Sequence, residues 1–396
     1  MVDTLWRPDV TDPIMPWNPQ DTMQLRLEFI TRAMQADIPF SELCRRAGIS
    51  RQTGYKWLKR YRSEGEQALA DRSTRPHNSP MRTAAEIEQH VLQLRAQHPA
   101  WGARKLSRRL LDQGLQPVPS PSTVTAILHR HGCIGQKASD DATAWTRFER
   151  SQPNELWQMD FKGDFDLLDQ TRCYPLTVLD DHSRYNLVLQ ACCTTDTLSV
   201  RTQLQRAFAH YGLPQQINTD NGAPWGSPSK AGQLTELAIW LIRLGIRITY
   251  SRPYHPQTNG KDERFHRSLK AEVLNNRSFS TQSQVQAELD RWREIYNHQR
   301  PHQGIGMATP ATRYRSSPRS LPSTLAPIEY GPEDEVVRVG WDGKLTFRGR
   351  RLRVSSALHT YHVAARPNPD IANAYDFYFA HHRIMTFDLN QPDATR

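Results

Sequence analysis

Leu156-Trp157-Gln158-Met159-Asp160-Phe161-Lys162-Gly163-Asp164-Phe165-Asp166-Leu167-Leu168 is the stretch on which the fold turns. Trp157, Met159, Phe161, Phe165 and Leu167 alternate with Gln158, Asp160, Lys162, Asp164 and Asp166, the two-residue period of a β-strand. Thr177-Val178-Leu179-Asp180-Asp181-His182-Ser183-Arg184 predicts a second strand running into a turn, and Asn186 to Cys192 a third. Three such strands on short turns form an antiparallel meander. A helix from Thr197 to Tyr211 then crosses over to Gln216-Ile217-Asn218-Thr219-Asp220-Asn221-Gly222, a short strand ending in a turn. Ile246 to Tyr250 is a further strand, and Pro256 opens a helix running to about Leu274. The order is a mixed sheet with helices.

Upstream the pattern is helical and basic. Ser41 to Ala47 is a short helix, Gly48-Ile49-Ser50 a turn, and Arg51 to Tyr61 a second helix that Ser50 can cap. A helix-turn-helix of this form places Arg51, Gln52, Thr53 and Lys56 where a recognition helix meets DNA. Asp71 to His77 is a basic connector with Arg72 and Arg75, either a strap along a DNA groove or a solvated linker. A second helical unit follows. Ala85 to His98 is amphipathic, Arg104 and Lys105 open the next helix, and Ser120-Pro121 starts a third that ends near His131.

Downstream, Gln282 to Tyr296 is an amphipathic helix and Ser316 to Pro327 a Ser- and Pro-rich linker. Val336-Val337-Arg338-Val339, Lys344-Leu345-Thr346-Phe347 and Leu352-Arg353-Val354 are strand-like, with Trp341-Asp342-Gly343-Lys344 as a hairpin turn. A small β-barrel is expected there, serving either as a DNA-backbone surface or as an assembly surface. The expected division is a first helix-turn-helix domain at 22–70, a basic linker at 71–82 and a second helix-turn-helix or winged-helix-like domain at 83–136. A catalytic core at 153–315, a linker at 316–327 and the barrel at 328–391 complete it.

Bulk properties narrow the partners. The 396 residues carry a net charge of +10, a balance that favours nucleic acid. No apolar run is long enough for a membrane span, and the first twenty residues lack the basic-then-apolar pattern of a secretory signal. Five cysteines, an odd number without a Cys-x-x-Cys pair, fit a reduced intracellular protein with ordinary buried thiols.

Three strings carry a family resemblance: Trp157-Gln158-Met159-Asp160-Phe161, Asn218-Thr219-Asp220-Asn221-Gly222, and Ser251 to Arg264, which reads Ser-Arg-Pro-Tyr-His-Pro-Gln-Thr-Asn-Gly-Lys-Asp-Glu-Arg. Together they resemble the integrase core of bacterial insertion-sequence transposases and retroviral integrases. The resemblance implies a multidomain α/β protein: tandem helix-turn-helix domains, a ribonuclease-H-like core and the C-terminal barrel. It makes Asp160, Asp220 and Glu263 the acidic triad, catalytic and metal-binding at once. Asp262 stands beside Glu263, but the family's acid directly precedes the arginine, here Arg264. The stretch between Asp220 and Glu263 is longer than the superfamily's compact spacing, with the extra length expected in Trp225 to Leu234.

The physical reading agrees. Three carboxylates are hard oxygen donors of the kind that hold two Mg2+ ions, or Mn2+ in their place, for phosphoryl transfer. Arg267 and Lys270 follow Glu263 by four and seven residues, on one helical face suited to gripping a DNA end. His255 and Trp225 are expected to pack rather than act. The resemblance further implies element-end and target DNA as partners, a homo-oligomer, no membrane or small-molecule substrate, and a place at the bacterial nucleoid. The competing class is a DNA-binding regulator with a dead core.

Overall fold

The computed structural model describes residues 22–71, 83–134, 149–226, 234–251, 260–275 and 277–390. Arg72, Arg75, His255, Pro256 and Asn259 lie outside these residues. The chain forms two compact units, Met1–Arg82 and Thr83–Arg396.

The first unit packs helices α1 (Thr22–Gln35), α2 (Phe40–Arg46) and α3 (Arg51–Glu64) around Phe29, Ile30, Leu43, Trp57, Leu58 and Leu69. Gly48 ends α2 with φ +63°, and the Thr53 amide donates to Ser50 Oγ at 3.1 Å to cap α3. Helices α2 and α3 cross at Gly54, where an added Cβ would stand 2.7 Å from Cys44 Sγ and 3.1 Å from Phe29 and Phe40. Arg51, Gln52 and Lys56 lie on the exposed side of α3. The Trp57 ring faces inward, with the Arg26 guanidinium 4.0 Å from its centroid.

The second unit begins with another three-helix motif, α4 (Ala85–Gln97), α5 (Ala103–Asp112) and α6 (Pro121–Arg130), closed over Val91, Leu94, Trp101, Leu106, Leu110, Val124 and Ile127. Ser120 caps α6 as Ser50 caps α3, accepting from the Thr123 amide at 3.2 Å.

The central sheet follows. The expected strand at 156–168 is divided into β1 (Trp157–Phe161) and β2 (Phe165–Asp166). Gly163 between them takes φ +91°, a conformation that a continuous strand does not tolerate. β3 (Arg172–Asp180) and β4 (Asn186–Cys192) complete the meander, and α7 (Thr197–Tyr211) crosses to β5 (Gln216–Thr219). After α8 (Glu236–Arg243) comes β6 (Arg247–Tyr250). The order is β4-β3-β1-β5-β6, with β2 paired to the start of β3. β1 is antiparallel to β3 and parallel to β5, and β5 is parallel to β6. This mixed sheet has the ribonuclease-H-like arrangement expected from the sequence.

Helices cover both faces of the sheet, so Gln158 is buried (3% exposed) although its place in the alternation suggested the polar side. One face packs Trp157, Val178, Leu204, Phe208, Ile217 and Leu241. The other packs Leu179, Leu189, Phe265, Leu289 and Trp292 from α9 (Gly260–Leu269) and α10 (Gln282–His298). Burial of side chains this large stabilises by about 1.5–3 kcal/mol each. α9 runs on into a π-helical turn, Lys270–Leu274.

The segment 316–327 is strapped to the core. Arg319 donates to the carbonyls of Pro214, Leu244 and Gly245 at 2.6–3.0 Å, and its own carbonyl accepts from the Leu213 amide at 2.7 Å. The tail contains the expected strands β7 (Glu335–Arg338), β8 (Lys344–Phe347) and β9 (Arg350–Arg353). It adds β10 (His362–Pro367), β11 (Ala374–Phe379) and β12 (His382–Asp388). The pairing corrects the small β-barrel. β12-β11-β10-β7 is an open antiparallel sheet and β8-β9 a separate hairpin, with no ladder joining them among the described residues. Phe347 of the hairpin packs against Phe377 and Tyr375 of the sheet, with ring centroids 5.1 and 4.9 Å apart, so side chains rather than strand pairing close this module.

The thiols are mixed. Cys44, Cys173 and Cys192 are buried as expected, Cys133 is partly buried, and Cys193 is exposed. No helix among the described residues is long and apolar enough to cross a membrane.

Candidate active site

Asp160 lies in the middle sheet strand, paired across to Thr177 on β3. On its other side, Gln158 pairs in parallel with Asn218 of β5. Two residues further along each chain stand Asp160 and Asp220, so the parallel register carries both acids to the same end of neighbouring strands. The Asp220 carboxylate accepts from the Gly222 amide at 3.0 Å, and Asn221 Nδ2 ties this turn to the Ser251 carbonyl at 2.8 Å.

The electrostatics of the pair are unfavourable for two free carboxylates. Burial first, then the charge of Asp220 and more weakly that of Glu263, push the Asp160 carboxyl up to about 7. Burial also raises Asp220. Carboxyls that resist ionisation because of burial, and at Asp160 also because of a neighbouring charge, are a donor set that a cation relieves. Glu263 lies in the first turn of α9, on its exposed face together with Arg264, Arg267 and Lys270. As arranged, no three His, Cys, Asp or Glu side chains among the described residues converge tightly enough to cage a metal. Asp160 and Asp220 thus fit a divalent cation by chemistry and neighbourhood, with Glu263 at the margin of the pair.

Several neighbours were not apparent from the motifs. His266, three residues after Glu263, puts Nε2 2.9 Å from Thr177 Oγ1 and Nδ1 4.0 Å from Asp160 Oδ2. Thr177 Oγ1 donates to the Asp160 carbonyl at 3.0 Å, so it accepts from His266, which places the imidazole proton on Nε2. Burial, aided by Lys162, lowers His266 to about 4, and its Nδ1 lone pair faces Asp160 at neutral pH. Lys162, half-buried and lowered mainly by desolvation, adds positive charge beside Asp160 and Lys270. The only signal for His266 was its helical spacing from Glu263.

Asp262 takes the opposite side of α9. It is 1% exposed, and neither carboxyl oxygen has a hydrogen-bond partner among the described residues. Burial, then the charges of Asp160 and Asp181, raise it well above the usual carboxylate range. Trp225 is buried and stacks on Phe161 at 5.5 Å, as its packing reading required.

The second three-helix motif lies against this part of the core. Glu272 accepts from Trp292 Nε1 at 2.9 Å, from Trp101 Nε1 at 3.4 Å and from Arg300 Nε at 2.9 Å. Arg109 reaches Gln299 at 3.2 Å, and Ile295 packs into the small helical core. Lys105 is half-buried here, lowered to about 8 by desolvation and by Arg300, while Arg104 is exposed.

Comparison with known proteins agrees with this architecture. Two integrase core domain models match residues 150–256 and 244–310. A helix-turn-helix domain model matches 25–77, a homeodomain-like model 53–128, and the C-terminal domain model of IS481 family transposases 334–395. An uncharacterised protein of insertion element IS407 from Burkholderia multivorans is 30% identical over 40% of this chain and 54% of its own length. One of IS476 from Xanthomonas euvesicatoria is 30% identical over 41% and 44%. The chain thus spans about half the length of these relatives. Among solved structures, a simian T-cell lymphotropic virus intasome in complex with a PP2A regulatory subunit matches 76% of this chain and 100% of that one, at 19% identity and a TM-score of 0.38. The HTLV-2 integrase catalytic core in complex with magnesium matches 41% and 97%, at 14% identity and a TM-score of 0.31. By its matched domains and their order, the chain is similar to insertion-sequence transposases, with helix-turn-helix, integrase-core and IS481-type C-terminal domains in succession.

Proposed function

We propose that this protein is a transposase that binds the ends of its own mobile element, cleaves DNA there and joins the freed 3′ ends to target DNA. The observation that carries the reading is the placement of Asp160 and Asp220 at one end of adjacent parallel strands, where burial and mutual repulsion hold the Asp160 carboxyl up to about 7. Asp160, Asp220 and Glu263 would hold the metal. Bound there, Mg2+ or Mn2+, two ions in the full site, would activate water or a 3′-hydroxyl and stabilise the departing oxygen.

The chain's own groups then bind and orient. Arg267 and Lys270, exposed on the helical face of Glu263, hold phosphates of the DNA end. His266, lowered to about 4, stays neutral beside the pair, with Nδ1 4.0 Å from Asp160 Oδ2, and so helps to position that carboxyl without adding charge to it. Arg51, Gln52 and Lys56 read element ends from the exposed side of α3, Thr53 is engaged in capping that helix, and Arg104 meets backbone from α5. Of Arg104 and Lys105, the half-buried Lys105 has less access to a phosphate. Lys344 opposite Arg353 and Arg351 opposite Thr346 give the β8-β9 hairpin a basic outer face suited to DNA backbone. Because two ends must be cut together, the working form is a homo-oligomer acting at the bacterial nucleoid.

The exposure of Glu263 favours one competitor, a transposase-derived DNA-binding regulator that does not cut. A nicking assay on fragments carrying the element's own ends separates the two. Cleavage that requires Mg2+ or Mn2+ and is abolished by Asp160→Asn, with end binding retained, is expected. A wild-type chain that binds the ends and never nicks them leaves the regulator. An Asp160→Asn chain that nicks normally removes the acids from the chemistry.

A further inference from the structure

We propose that Asp181 is a positioning residue, the shared anchor that fixes strand β1 and helix α9 against each other through Gln158 and Lys261 and so sets the spacing of Asp160 and Glu263. The inference rests on the reading that those acids hold a metal. Asp181 directly follows β3 and is 2% exposed. Its carboxylate serves three separate segments. Oδ1 accepts from Gln158 Nε2 of β1 at 2.9 Å and forms an ion pair with the Lys261 ammonium in the first turn of α9. Oδ2 accepts from the Arg150 amide at 2.9 Å. The Lys261 ammonium also lies 3.4 Å from the Asp181 carbonyl, and the Asp181 amide donates to the Leu156 carbonyl at 2.9 Å, continuing the β1–β3 pairing.

Both tethers stand two residues before an acid. In a strand that separation returns to the same face, so holding Gln158 steadies the side from which Asp160 projects. In a helix it is about 200° of rotation, so holding Lys261 against the core turns Glu263 to the opposite side. One carboxylate therefore governs the lateral position of β1 and the rotation of α9 together. The arrangement is costly, because the pair is largely desolvated and burial pulls the Lys261 ammonium below its ordinary range. Gln158 would pack as well if it were apolar, and Lys261 would be better solvated at the surface. What the two gain together is a defined geometry.

The test is Mn2+ titration of the full chain on element-end DNA, read both by electron paramagnetic resonance of free Mn2+ and by nicking rate, with melting temperature alongside. Asp181→Asn and Lys261→Met are each expected to raise the half-saturating Mn2+ concentration roughly tenfold, in line with the loss of a group that orients a metal ligand. Excess metal should restore most of the rate. The double variant should be no worse than Asp181→Asn alone, because that substitution already breaks the link to Lys261, and Lys261→Arg should stay near wild type. A folded Lys261→Met chain with wild-type half-saturation by both readouts overturns the proposal. It is equally overturned if Lys261→Met lowers the melting temperature and rate while metal dependence stays unchanged, since that is a purely structural pair. Should Asp181→Asn not fold, the two Lys261 variants decide. Asp160→Asn tells the two claims apart: if it still binds Mn2+ like wild type, the metal reading itself has failed, whereas if only the Lys261 variants behave as wild type, the anchor alone has failed.

Discussion

The two helix-turn-helix motifs share a local design and differ in what covers them. Each sets a serine before its last helix, Ser50 and Ser120, and each serine accepts from a threonine amide three residues on. In the first unit the core closes within the motif, and Arg51, Gln52 and Lys56 remain on the exposed side of α3. In the second, α5 is turned onto the integrase-type core, where Trp101 and Arg109 bond Glu272 and Gln299 and Lys105 loses part of its solvent. A motif determines its own fold, whereas the face left open for DNA is decided by the rest of the chain. The first motif is built to read. The second is packed onto the helices that carry Glu272, Ile295 and Gln299.

Removing Glu272 should break this contrast most severely. Glu272→Ala leaves Arg300 buried without its carboxylate and strips an acceptor from Trp101 and Trp292. Loss of one partner of such a pair costs about 3–5 kcal/mol. Denaturant unfolding should show that loss in the second unit, with the first unit's transition in place. A loss below 1 kcal/mol would mean that the motif is not held by this cluster. The complementary change is Gly54→Val, whose side chain would collide with Cys44, Phe29 and Phe40. Overpacking of about 1–3 kcal/mol is expected in the first unit only, read by its melting transition and by lost binding to element ends. Unchanged melting would show that α2 and α3 can separate at no cost.

The smallest effect is one of pH. Lys105 holds its proton up to about 10.4 in an unfolded chain but releases it near 8 when folded. Between these values the unfolded chain binds more protons, so the contribution of Lys105 to stability rises with pH across that window. Lys105→Met should remove this rise, seen as a smaller gain than wild type in stability from pH 8 to 10. Identical pH profiles would mean that the ammonium is solvated and that the second motif is as open as the first.

Much of this was legible in the sequence. The alternation from Trp157 to Phe161 gave a strand, Thr197 to Tyr211 a helix with those bounds, and Lys344 to Phe347 a hairpin arm. Each is a local pattern whose apolar spacing reports its own element. Three things were hidden because they depend on distant partners. Gly163 divides a strand that side-chain alternation draws as continuous, since backbone φ leaves no trace in the pattern. The C-terminal strands are visible one by one, but whether they close a barrel depends on pairing between residues far apart in the chain. In the candidate site, the family strings pick out acids without their surroundings. His266 beside Asp160, the anchor at Asp181 and the buried Asp262 emerge only when β1, β3 and α9 are packed together.

The central claim is that Asp160, Asp220 and Glu263 share a divalent cation. Its most direct test is a crystal of the full chain with element-end DNA and Mn2+, read by anomalous scattering. The account predicts manganese peaks bridging the Asp160 and Asp220 carboxylates, with Glu263 drawn in as a ligand. Manganese bound elsewhere, or no peak beside Asp160 while Glu263 stays turned to solvent, would contradict it.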